Sequence, residues 1–245
     1  MASPDALTLN NQAIDSMRLG DFKTGAAVLR SALKKLRHVL SSPPHISRTG
    51  EEQDSFAPHA SCNLPIIAVY VEEAIAVEAE YSSLLSLSSI PQDHNTFSLY
   101  GRAFLMKTSD EKVISKKADV TRVCTVVLYN LGLCYLLLAV KNGQHRHVNL
   151  VKAMQLFELA VDFLNDDSFA PEKDLLLLSA LNNLGHVYFH FFKVDEAQKC
   201  LERLHSVLAD AHERDVNLLP EEYHLFTLNV IMLYGKCAVV VAPAA

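Results

Sequence analysis

"ALNNLGHVYFHFFKVDEAQKCL", residues 180–201, sets Gly185 inside an apolar run of helical spacing and Ala197 12 residues later. A glycine in a helix interior costs roughly 1 kcal/mol against alanine, so its place there needs a packing reason. Leu181, Leu184, Gly185 and Tyr188 fall at i, i+3, i+4 and i+7 and share one helix face. Fifty-three residues upstream, Leu128, Leu131, Gly132 and Tyr135 repeat those four residue types at that spacing. The second half recurs as well: Ala197, Leu201 and Leu204 match Ala153, Phe157 and Ala160. Each unit therefore reads as two amphipathic helices. The bare glycine lets a neighbouring helix approach, and the alanine of the second helix is expected on the other side of the contact.

A degenerate third copy lies near the N-terminus. Ala13 stands in for the glycine, Gly20-Asp21-Phe22 makes the turn, and Gly25, Leu29 and Ala32 take the second-helix positions. Gln12 and Ser16 replace the expected leucine and tyrosine, which suits a terminal unit.

These residues resemble the tetratricopeptide repeat, a helix-turn-helix of about 34 residues with small residues on both helices and an aromatic one turn after the first. The copy around Gly185 keeps the spacing of 12 between its small residues, whereas that around Gly132 carries about nine extra residues, placed in its turn at "KNGQHRHVNL". The implied fold is all-α: a stack of antiparallel helix pairs in which Ala13, Ala32, Gly132, Tyr135, Ala153, Ala160, Gly185, Tyr188 and Ala197 pack the repeats.

Around the repeats the chain divides into residues 1–40 (first repeat), 41–63 (a polar loop with Pro43, Pro44 and Pro58), 64–108 (an insertion), 119–165 and 172–210 (second and third repeats) and 220–241 (a C-terminal capping helix). Within the insertion, "PIIAVYV" (65–71) and "NTFSLYGRAFLMK" (95–107) are β-branched or aromatic-rich and predict a short antiparallel strand pair, beside the stack or over one face. Pro171 and Pro220, each followed by acids, predict helices from about Glu172 and Glu221.

A formal charge of -6 gives no electrostatic ground for nucleic-acid binding. Five scattered cysteines without a CxxC pair suit a reducing, intracellular compartment, cytoplasmic or nuclear. Residues 123–140 are apolar enough to span a bilayer, but Asn130 and the repeat pattern favour burial between helices.

The resemblance implies a concave groove lined by the first helix of each pair. Carried over, the groove residues are Asn11, Ile14, Arg18, Asn130, Leu133, Leu137, Asn182, Asn183, His186, Phe189 and His190. Asn11, Asn130 and Asn183 occupy one equivalent position, and an amide side chain carries the donors and acceptor needed to hold the backbone of an extended peptide. The family's carboxylate clamp also needs cations, and Asn10, Ser179 and Asn183 stand where they would be. An acidic C-terminal tail is therefore not the expected ligand.

His186 and His190 have chelating spacing, but no third ligand or catalytic glutamate accompanies them, so neither metal nor cofactor is expected. Arg30, Lys34, Lys35, Arg37 and His38 read as a solvated basic face. No nucleophile elbow, phosphate loop or metalloprotease motif occurs. The expectation is a non-enzymatic interaction module or scaffold that binds a peptide or helix of another protein in the groove. Its rival is a self-associating subunit, a homo-oligomer, whose insertion and last helix fill the groove; a metal or small-molecule site at His186 and His190 is the remoter reading.

Overall fold

Asp5 accepts the Thr8 amide at 2.7 Å and caps the first helix, α1 (Ala6–Arg18), by satisfying one of its orphan donors. In the computed structural model, residues 5–41, 66–71, 99–107, 117–141, 145–165, 173–214, 216 and 218–241 are described. Gly20, at φ 73°, turns the chain out of α1, and Asp21 caps α2 (Phe22–Ser41) through the Thr24 amide at 3.0 Å. Two strands follow, β1 (Ile66–Tyr70) and β2 (Arg102–Met106), then α3 (Lys117–Lys141), α4 (Arg146–Leu164), α5 (Lys173–His190), α6 (Val194–Glu213) and α7 (Pro220–Val241). The described residues are mostly helical with one two-stranded antiparallel sheet. Ser41, the first residue of the predicted polar loop 41–63, closes α2, and the rest of that loop lies in residues 42–65, outside the described residues.

Each helix packs against the next in sequence, from α1·α2 through to α6·α7. Contacts of α1 with α3 and of α5 with α7 put the odd-numbered helices in one layer, and β2 packs on α1 and α3. This layering explains the long apolar run. Val120–Lys141 is the one helix among the described residues long and apolar enough to cross a membrane, and 94% of its apolar window is buried by these neighbours.

Ala13, Ala32, Ala153, Ala160 and Ala197 are all fully buried. The two repeat tyrosines make equivalent contacts one unit apart. Tyr135 of α3 accepts from Arg30 of α2 at 2.8 Å, and Tyr188 of α5 donates to Glu158 of α4 at 2.6 Å. Each ring also carries a lysine, Lys152 and Lys193 respectively.

Two details correct the sequence reading. The extra residues between Gly132 and Ala153 do not make a long turn: α3 runs to Lys141 and α4 starts at Arg146, so most of them lengthen the two helices. Nor is an alanine the other side of the glycine contacts. A Cβ on Gly132 would sit 2.9 Å from the Phe157 ring, whereas one on Gly185 would meet the Cys200 Cβ at an ordinary 3.6 Å. The aromatic at the fourth residue after Ala153 demands the space, which is why, of these two glycines, Gly132 is the sterically required one.

Candidate functional site

The segment 99–107 lies extended across the inner helices, with its main chain held by their side chains. Asn183 of α5 accepts from the Tyr100 amide at 2.9 Å and donates to the Tyr100 carbonyl at 3.1 Å. Asn130 of α3 treats Phe104 in the same way, at 2.9 Å in both directions. Asn11 of α1 donates to the Met106 carbonyl at 2.9 Å and accepts its amide at 3.4 Å. An amide group presents its donor and acceptor side by side, as one residue of a neighbouring strand does. Three asparagines thus replace a third strand along one edge of β2.

Other side chains complete that edge. The Tyr129 hydroxyl lies 3.3 Å from both the Tyr100 and Arg102 carbonyls and accepts from Asn183 at 3.2 Å. Asn10 donates to the Phe104 carbonyl at 3.1 Å and accepts from Asn130 at 2.9 Å. Burial pushes the Tyr129 hydroxyl well above its ordinary range, against the opposing Asn183 hydrogen bond, and keeps it protonated.

The side chains of the strand are anchored as firmly as its backbone. Arg102 pairs with Glu222 of α7 at 2.7 Å, both buried, and reaches the exposed Glu221 at 3.5 Å. Tyr100 donates to Glu222 at 2.8 Å, and the second Glu222 oxygen accepts the Leu219 amide at 3.1 Å. Burial, then the Glu222 charge, raises the Tyr100 hydroxyl far above its usual range. Phe226, Tyr100, Phe104, Tyr129 and Phe157 form a continuous row of rings, neighbours 5.0–6.2 Å apart.

The predicted groove residues therefore separate into groups. Asn11, Asn130 and Asn183 hold the strand; Ile14, Leu133 and Leu137 are fully buried core. Asn182 accepts from Asn229 of α7 at 2.7 Å and ties the last helix to α5. His186 is buried, Phe189 and His190 are half-buried, and Arg18 is exposed. Burial, then Arg146 and His147, lowers the proton affinity of His190, whose ring edge meets Phe191 at 5.7 Å. No group of three or more His, Cys, Asp or Glu that could hold a metal occurs among the described residues.

The open groove expected from the sequence is thus filled by the chain's own strand. Asn10, Tyr129, Glu222, Phe226 and Asn229 were missed. Asn10 had a signal, since it immediately precedes a recurrent asparagine. Glu222 had none: its place after Pro220 reads equally well as a helix-start acid. No family model matches the chain, and no curated protein or solved structure matches it.

Proposed function

We propose that this protein is a non-enzymatic interaction module of tetratricopeptide type whose groove is filled by its own strand, and that it acts as a self-associating structural subunit. One observation carries the reading: all three recurrent asparagines spend both amide functions on the backbone of segment 99–107. Displacing it would strip Asn130 and Asn183 of their main-chain partners and leave them only Asn10 and Tyr129, at a cost of about 1–3 kcal/mol for each orphaned group. The Arg102 and Glu222 charges would be exposed as well. Assembly then falls to the outer surfaces. Catalysis forms no part of this reading: the Cys200 thiol, pushed up to about 12 by burial, is a poor nucleophile at neutral pH. The free cysteines Cys124, Cys134 and Cys200 suit a reducing intracellular compartment.

The test is sedimentation velocity from about 1 to 100 μM, a span that brackets typical weak self-association. A mass of two or more chains at the upper end supports the reading, and a single-chain mass throughout overturns it. A second reading is favoured by the asparagines bonding only main-chain atoms of the segment, which any extended chain could supply: a partner's extended segment takes the place of β2. A labelled peptide of residues 98–108 titrated onto the protein separates the two. Saturable micromolar binding supports exchange, and no binding supports a sealed groove.

A further inference from the structure

The antiparallel register pairs Ile66 with Met106, Ala68 with Phe104 and Tyr70 with Arg102. The Val71 amide donates to the Gly101 carbonyl, so the odd-numbered pairs are the hydrogen-bonded ones. The parity has two consequences. The even residues of β2 turn their amides and carbonyls to the asparagines, as the bonds at Tyr100, Phe104 and Met106 require. The even residues of β1, namely Ile66, Ala68 and Tyr70, turn theirs outward, where no hydrogen-bond partner occurs among the described residues.

We infer that this outer edge of β1 pairs antiparallel with β1 of a second copy, about a two-fold axis at Ala68, to form a continuous four-stranded sheet. The inference rests on the self-association proposed above. Three features single out a second copy. The outward residues 66, 68 and 70 are symmetric about Ala68, so self-pairing makes hydrogen-bonded pairs of Ile66 with Tyr70 and of Ala68 with Ala68, with no register conflict. The strand IIAVY has none of the lysines, acids or prolines that protect sheet edges from pairing. Its inner edge is fixed by β2, itself clamped by three helices, so the template is already extended and loses little freedom on pairing.

In that register Ile67 of one copy opposes Val69 of the other in a non-hydrogen-bonded pair, the closer kind. The test compares Ile67→Lys/Val69→Glu with Ile67→Lys/Val69→Lys by sedimentation velocity on the full chain. Both variants put two charges at the same sites within a protomer. Only the first makes opposite-charge pairs across the two-fold axis, so its dimer should be about tenfold tighter than that of the second. Hydrogen exchange on the unaltered protein gives an independent reading: the Ile66, Ala68 and Tyr70 amides should be protected at dimer concentrations and exposed on dilution. A wild-type monomer throughout overturns both the edge and the self-association. A dimer equally stable in both variants, with those amides unprotected, overturns the edge alone.

Discussion

Asn183 and Tyr100, 83 residues apart in the chain, exchange two hydrogen bonds through which a helix side chain stands in for a β-strand. Asn130 and Phe104 do the same further along, so these bonds read the main chain, while Arg102 and Tyr100 add side-chain anchors on Glu222. The consequence is structural before it is functional: helices distant in sequence are tied together by one short segment.

Asn130→Ala should be strongly destabilising. It removes the acceptor for the Phe104 amide and one donor to its carbonyl, and strips Asn10 of a partner, all away from water. A loss of about 3 kcal/mol is expected in urea denaturation. A loss below about 0.5 kcal/mol would mean that the clamp is dispensable.

Arg102→Met leaves Glu222 buried and without its closest cation, for an expected cost of about 3–5 kcal/mol. Adding Glu222→Gln should recover part of that loss, because a neutral amide still accepts from Tyr100 without burying a charge. Thermal melts of the single and double variants check the order.

The two helical glycines should respond differently to alanine. At Gly132 the new methyl strikes the Phe157 ring and costs about 1–3 kcal/mol. At Gly185 it finds ordinary contact with Cys200, so the gain in helix propensity, up to about 1 kcal/mol, is free to appear. Equal effects in denaturant titrations would contradict the packing difference.

Phe192 sits at φ 56° in the turn between α5 and α6, where Gly20 sits in the first hairpin, and is 89% exposed. It thus carries the left-handed penalty with little burial in return. Phe192→Gly should stabilise the fold by about 1 kcal/mol, read as a rise in denaturation midpoint.

His190 binds a proton less readily in the folded chain than its ordinary value of 6.5 allows, because it is partly buried and faces Arg146 and His147. The unfolded chain therefore takes up more protons as pH falls through 6.5 towards the folded value. Stability is full above 6.5 and declines below it. His190→Gln should flatten that part of the stability-pH curve, measured by urea titrations between pH 7.5 and 5 at intervals of about 0.5.

The helical repeat was legible in Leu128, Leu131, Gly132 and Tyr135 and their later counterparts, because a 3.6-residue period writes a buried face directly into local sequence. The strand pair was legible for a similar reason, since β-branched and aromatic runs bounded by turn residues favour extended chain. So was the recurrence of Asn11, Asn130 and Asn183. What those asparagines hold was decided by tertiary structure alone: a main-chain amide looks the same in every sequence, so nothing in residues 99–107 marks them as the bound segment. Glu222 became a buried counter-ion, rather than a helix-start acid in water, only when α7 brought it against Arg102. Local periodicity fixes which faces are apolar, but hydrogen bonds between residues 83 or 120 positions apart exist only once packing has brought their elements together.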